Sequence, residues 1–310
     1  MPTYKGSLKI FTFSGIGVYV HWAWLIVAYL GIRYRTHIYT SPVFNVLEYL
    51  SLFLIVLLHE FGHQLSCRQV GGKTHDIILW PLGGVAFVSP PQRPGAQLWS
   101  IAAGPLVNVA LIPVLSLFWS ISFHLQWYDT HSDVYDLIEN VWFINIGLLI
   151  FNMLPIYPLD GGQIVRSLLW FLFGRANSLL VASVIGLIGA AGFIAWAAWV
   201  FIKGDSWGGS WIGFISIFVA MRSWSGFKQA RALAAVAKLP RRAGFACPSC
   251  KTAPPIGAFW RCGKCGTTFD MFLTQATCPN CQSQYNAILC LDCGTASSLG
   301  AWMTVPPSNN

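Results

Sequence analysis

Apolar residues gather along this chain into runs far longer than a soluble core needs. Six runs, at residues 16–32, 44–67, 98–122, 138–157, 179–202 and 209–224, approach or exceed the roughly 20 residues with which a helix crosses a bilayer. They predict six transmembrane helices. The first is followed by further spans and lacks a small-residue cleavage site, so it reads as a span and not a leader. Residues 76–90 break the pattern with two short β-rich stretches, Ile77-Ile78-Leu79-Trp80 and Val85-Ala86-Phe87-Val88, parted by Pro81, Leu82 and the pair Gly83-Gly84. They predict a hairpin or re-entrant strand pair, which at membrane depth must face protein or a water-filled cavity.

Composition agrees: 55% of residues are hydrophobic and 10% charged, against about 25% charged in soluble domains. The net charge of +8 would suit nucleic acid, but its placement follows a membrane. With the N-terminus inside, the inner side receives Lys5, Lys9, Arg68, Lys73, Arg93, Arg166, Arg175 and Arg222, and the outer side Arg33, Arg35 and Lys203. The expectation is a multi-pass protein of the cytoplasmic membrane with both termini cytoplasmic, against which Arg33 and Arg35 count mildly.

Four segments follow. Residues 1–225 form an all-α polytopic membrane domain with the short β-hairpin. Residues 226–246 form a basic helix or linker, whose charges either rest against anionic headgroups or are simply solvated. Residues 247–295 form a tandem zinc ribbon, and residues 296–310, with Pro306, Pro307 and Ser308, a disordered tail.

Eight of nine cysteines stand in CxxC pairs, the spacing of zinc knuckles. The first four, Cys247, Cys250, Cys262 and Cys265, are assigned to one structural zinc, and the last four, Cys278, Cys281, Cys290 and Cys293, to a second. A cross-braced pairing is the alternative. A disulfide framework would need an external C-terminus, which the charge placement opposes. Cys67 reads as a packing residue. Lys251, Arg261 and Lys264 make too thin a patch for nucleic acid, so the ribbon reads as a module for a protein partner or regulator.

The second run contains His59-Glu60-Phe61-Gly62-His63. Two histidines four apart share one helix face and reach a single ion, with Glu60 beside them to handle water. Each alone would be a hydrogen-bonded packing residue. Three ionisable groups in five positions of a lipid span cost on the order of 2.5 kcal/mol apiece when charged and unpaired, and a metal offsets that. A catalytic zinc takes three protein ligands. Glu48 and Glu139 lie towards the outer side, whereas Asp160 sits at the inner end of the fourth run, level with the histidines, where it could also cap the helix of residues 163–173.

The combination of His59-Glu60-x-x-His63, Gly83-Gly84-Val85 and Asn152-x-x-Pro155-x-x-Pro158-Leu159-Asp160-Gly161 resembles the site-2 protease family of intramembrane zinc metalloproteases, over residues 15–225. The resemblance implies a catalytic zinc on His59, His63 and Asp160, Glu60 as the catalytic carboxylate, and Asn152 supporting the reacting carbonyl or water. Ala103-Gly104-Pro105-Leu106-Val107-Asn108 resembles the family's small-residue span. Asn108 there either supports a ligand or makes an interhelical hydrogen bond, and Gly104 allows close packing. The expected substrates are transmembrane proteins, held extended by strand addition along Gly83, Gly84, Val85, Ala86 and Phe87. The rivals are a catalytically silent scaffold that recruits partners through the ribbons, which would not need Glu60, and a metal transporter, which would spread polar residues along several spans.

Overall fold

The computed structural model describes residues 6–80 and 83–304. Pro81 and Leu82 of the expected hairpin, and Pro306, Pro307 and Ser308 of the expected tail, lie outside the described residues. Two strands, β1 (Ser7–Phe13) and β2 (Ile16–His21), precede the helices α1 (Ala23–Tyr34) and α2 (Pro42–Gln69). The hairpin β3 (Lys73–Trp80) and β4 (Gly83–Ser89) leads to α3 (Pro94–His124), the short α4 (Trp127–Thr130), α5 (Ser132–Met153), α6 (Asp160–Ile202) and α7 (Ser206–Ala237).

Among the described residues, four helices, α2, α3, α5 and α6, are long and apolar enough to cross a membrane, where six were expected. In α7, glycine and serine dilute the apolar run and Arg222 falls within it. The run at residues 16–32 is not one helix: its first part is β2, and α1 has only 12 residues. A six-residue strand and a 12-residue helix reach about 20 Å and about 18 Å, so end to end they are long enough to cover a hydrocarbon core of about 30 Å. A strand can do this because its backbone is paired on both sides. β1 lies antiparallel along one side of β2, while on the other Val18, Tyr19 and Val20 run parallel to Ile77, Ile78 and Leu79 of β3. β1 is the element that the hydrophobic pattern did not announce.

The sheet order is β1-β2-β3-β4, which leaves β4 at an edge and against α2. Ile16, Val18, Val20, Ile77 and Leu79 form one apolar cluster with Val56, Leu57 and Phe61 of α2. The sheet is thus pressed onto the helical turn that carries His59 and His63. Arg68 closes the contact, donating to the Ser14 carbonyl at 2.7 Å and to Thr74 Oγ1 at 2.9 Å. At the other end of α2, Arg35 meets Glu48 at 2.9 Å and the Tyr39 hydroxyl donates to Glu48 at 2.6 Å. An arginine that counted against the charge rule therefore has a partner.

α6 breaks at Gly174, whose φ is 75°, into a first segment headed by Asp160 and a longer apolar one. The second segment packs small residues, Ser183, Gly186 and Ala190, along α7, whose Ser223 donates to the Tyr157 carbonyl at 2.7 Å. The basic segment begins as the continuation of α7 to Ala237. Beyond it Arg241 pairs with Asp292 at 2.7 Å and Arg242 with Asp270 at 2.6 Å. These two charges are neither at headgroups nor merely solvated, because they stitch the linker to the ribbon.

The ribbon contains β5 (Trp260–Arg261) paired with β6 (Thr268–Phe269), and β7 (Ile288–Leu289) paired with β8 (Ala296–Ser297). It ends in α8 (Leu299–Trp302), so the tail expected to be disordered from residue 296 is folded as far as it is described. Trp302, 1% exposed, packs edge-on against Phe272 at 5.0 Å, and its carbonyl accepts from the Ala246 amide at 2.7 Å. The chain's end thereby fills the core between the cysteine clusters. Trp302→Ala is expected to cost the ribbon about 3–5 kcal/mol. Limited proteolysis of the full chain in detergent would then cut beyond residue 240 and leave the membrane helices intact.

Candidate metal centre and the cysteine tetrads

Three acceptor atoms meet between α2 and the first turn of α6. His59 Nε2 lies 3.0 Å and His63 Nε2 3.3 Å from Asp160 Oδ2, and the two Nε2 atoms are 3.1 Å apart. The partners of the other ring nitrogens fix the tautomers. His63 Nδ1 is 2.9 Å from the Ser100 carbonyl, which can only accept, so Nδ1 carries the proton. His59 Nδ1 is 2.7 Å from Asn108 Oδ1, and Asn108 spends its Nδ2 on Asn145 Oδ1 at 2.9 Å, so it too accepts from the ring. Both Nε2 atoms face the same carboxylate oxygen, Asp160 Oδ2, which has no other hydrogen-bond donor among the described residues. The set fits a dipositive ion, since tetrahedral zinc with bonds of about 2.0–2.1 Å separates its nitrogen ligands by about 3.3 Å.

Each ligand is placed by local structure. The helical repeat puts His59 and His63 on one face. That face meets α3 where a Cβ on Gly104 would lie 2.3 Å from His63 Nε2 and 2.8 Å from His59 Nε2. Glycine is what leaves room for the two rings. Asp160 is delivered by the turn of residues 154–159, which folds back on α6 so tightly that a Cβ on Gly161 would lie 2.3 Å from the Met153 carbonyl, and one on Gly162 2.4 Å from Ile156 C. Behind Asn108, Asn145 of α5 returns its own Nδ2 to the Asn108 carbonyl at 3.0 Å. The chain from His59 to Asn145 thus locks a ligand ring by hydrogen bonds beyond it.

Glu60 is 7% exposed on the same turn as the ligands. Asn152 stands half-buried in the last turn of α5, outside the cluster of ligand atoms, two helical turns from Asn145 and so on its face. Gly83, Gly84, Val85, Ala86 and Phe87 lie on β4, the edge strand. Asn145 and the Ser100 carbonyl were not foreseen. An asparagine inside an apolar run was the available signal for the first, while a backbone carbonyl leaves none in sequence.

The cysteines group differently from the expectation. Cys247, Cys250, Cys290 and Cys293 form one tetrad, and Cys262, Cys265, Cys278 and Cys281 the other. The pairing is nested because the outer knuckles close the ends of the ribbon while the inner two meet across the segment between them. Sulfur separations across the tetrads are 3.6 and 3.8 Å in the first, and 3.5 and 3.6 Å in the second. Zn–S bonds of about 2.3 Å set tetrahedral edges of about 3.8 Å, whereas a disulfide needs about 2.05 Å. The thiol of Cys265 is pulled down to about 5 by hydrogen bonding from Thr267, which favours the thiolate a metal requires. The first tetrad lies at the break in α6, where Arg175 donates to the Asp292 carbonyl.

A buried His-x-x-x-His helix closed by an aspartate from a second helix defines the membrane domain as an integral membrane protein with a zincin-type site. Comparison with known proteins finds similar sequences and a similar structure. Residues 126–196 match the family model described as Peptidase family M50. The chain is 31% identical over 180 residues to Zinc metalloprotease MJ0392 of Methanocaldococcus jannaschii, covering 58% of this chain and 50% of that protein. It is 33% identical over 128 residues to Stage IV sporulation protein FB of Bacillus subtilis, covering 41% and 40%. The solved Site-2 Protease from Methanocaldococcus jannaschii superposes with a TM-score of 0.53 at 27% identity, covering 71% of this chain and 95% of that one. The chain contains a peptidase family M50, or site-2 protease, domain, and it spans about half the length of the curated relatives it matches.

Two outcomes are expected. Asn108→Leu frees the His59 ring and weakens the histidine site for zinc by about 10- to 100-fold, measured by chelator competition, with the thiolate sites unchanged. For the cysteines, Cys247→Ser with Cys293→Ser disables one tetrad and lowers bound zinc by one ion, whereas Cys247→Ser with Cys262→Ser disables both and lowers it by two.

Proposed function

We propose that the protein is an intramembrane zinc metalloendopeptidase that hydrolyses peptide bonds in or beside transmembrane segments. The observation that carries this reading is the convergence of two imidazole Nε2 atoms and one carboxylate oxygen within 3.3 Å of one another, with Glu60 on the same turn. His59, His63 and Asp160 would hold the zinc, and the tetrads two structural ions. Zinc bound there lowers the pKa of its water to about 7 and polarises a carbonyl.

The chain's own residues supply the rest. The Glu60 carboxylate takes a proton from the attacking water and returns it to the leaving amine nitrogen, which balances the hydrolysis. The Asn152 side-chain amide donates to the oxygen of the reacting carbonyl. A substrate helix hides its carbonyls in its own hydrogen bonds, so the scissile stretch must be extended. The free edge of β4, lying against α2, offers backbone groups for strand addition.

The orientation places both termini in the cytoplasm. The first crossing is the composite of β2 and α1, and α7 makes the last. In support, the inner side collects most of the basic residues, and the eight ribbon cysteines stand in two possible metal tetrads, whose thiolates a reducing compartment preserves. The ribbon would serve a protein partner or regulator at the cytoplasmic face.

Glu60→Gln should retain the zinc complement of the wild type and lose at least 100-fold in cleavage of a reconstituted transmembrane peptide. Full cleavage by Glu60→Gln, or none by zinc-loaded wild type on a broad panel of such peptides, would refute the reading.

A further inference from the structure

A pocket of about 240 Å³ opens between α1, α2, α5 and α7 at the end of α2 remote from the metal centre. Most of its wall is apolar, including Val27, Ile32, Leu52, Trp207 and Trp211. Two of its polar groups are engaged with each other, since Arg35 holds Glu48 at 2.9 Å. Tyr39 and Asn140 complete that knot at 2.6 and 3.0 Å. Tyr49, also in the wall, donates its hydroxyl to the Trp24 carbonyl at 3.1 Å. Asn45 is different. It is 4% exposed, lines the pocket, and neither its Nδ2 nor its Oδ1 has a partner among the described residues.

A buried amide with no hydrogen bond is costly, so an arrangement that leaves it so points to a group supplied from outside. Asn45 offers a donating NH2 and an accepting carbonyl in one plane. Its complement is another amide or a hydroxyl, which polypeptides carry, whereas acyl chains offer neither and lipid esters only accept. The position sharpens the match. Asn45 lies 14 residues before His59 on one continuous helix, hence about 21 Å from it along the axis. A transmembrane segment lying along α2 with its scissile bond at the histidines would bring residues of its outer half to Asn45.

We propose that Asn45 is a specificity-determining contact that recognises an amide- or hydroxyl-bearing residue in the outer half of a transmembrane substrate, about 21 Å from the bond that is cut. This rests on the protease reading above. The site would favour segments carrying Asn, Gln, Ser or Thr at that depth, which are also the segments whose helices pack least well into lipid alone. Recognition at one end and hydrolysis at the other would make α2 a ruler for the cut.

The test uses full-length enzyme in vesicles and two transmembrane peptides that differ only in Asn or Leu 14 residues to the outer side of the cleaved bond. Wild type is expected to prefer the Asn peptide by about tenfold in kcat/KM, mainly through KM, and Asn45→Leu to bring that ratio to about one. A general folding defect lowers both rates and leaves the ratio unmoved. An unchanged ratio in Asn45→Leu, or no preference in wild type, overturns the proposal and leaves the pocket to water or lipid. A second arm separates binding from chemistry: in a Glu60→Gln background, a photoreactive residue in place of Asn45 should crosslink to a transmembrane peptide. Crosslinking without any wild-type cleavage would sustain the contact and sink the protease reading, while cleavage without crosslinking would do the reverse.

Discussion

Three acceptor atoms within about 3 Å of one another, inside a lipid-embedded bundle, constrain the rest of this fold. Two imidazoles tied through Nδ1 and a carboxylate without a donor repel one another unless a cation stands between them. Everything nearby serves to keep them there. α3 comes close enough to hold both rings only because residue 104 lacks a side chain. Asn108 and Asn145 exchange hydrogen bonds that hold the acceptor facing His59. The tight turn before α6 leaves Asp160 no freedom to retreat. A bilayer supplies no water to substitute for any of these partners, so the hydrogen-bonded shell has to be complete within the protein.

The sheet is the second consequence of that medium. A strand is tolerated at membrane depth only if its backbone groups are paired, and β2 meets this by having β1 and β3 on either side. Its side chains then face α2 as an apolar layer at the level of the metal ligands. The strand and the 12-residue helix that follows it occupy the place of the first apolar run. The sheet order leaves one of its two edges on β4, beside the helix that carries His59 and His63, and the other on β1. An exposed edge is a hazard in most proteins, whereas in one that must hold a polypeptide extended it is a place to do so.

What could be read from the sequence divides along the range of the interactions. The clustering of His59, His63 and Asp160 was legible because the two histidines depend on a local repeat and Asp160 on a choice among three acidic residues near the spans. The break before the fifth apolar run was legible for the same local reason, and Gly174 supplies it. The first run was misread because hydropathy is blind to secondary structure: Ile16 to His21 is as apolar as a helix turn, and only its pairing with residues 77–79 reveals a strand. The cysteine assignment failed similarly. CxxC spacing defines each knuckle, but which knuckles share a metal is decided by how two two-stranded hairpins fold onto one core. Trp302, beyond the last cysteine in a stretch rich in small residues, completes that core and gave no periodic signal.

The donor sets also explain why one chain carries two kinds of centre. Each cysteine tetrad offers four thiolates at the separations of a closed tetrahedron, so a metal there has no position left for a reactant and can only hold structure. A domain of about fifty residues with two-residue strands has little else to hold it, since its apolar core is small and its strands too short to pair independently. The histidine site offers three ligands from two helices that are already fixed by packing, and it stops at three. A zinc held by three protein ligands keeps a fourth position open, as catalytic zinc sites do. Arg175 and Arg241 both reach Asp292 beside the first tetrad, and the helix break they surround follows the segment headed by Asp160. The first cysteine tetrad and Asp160 thus stand at opposite ends of one helix segment.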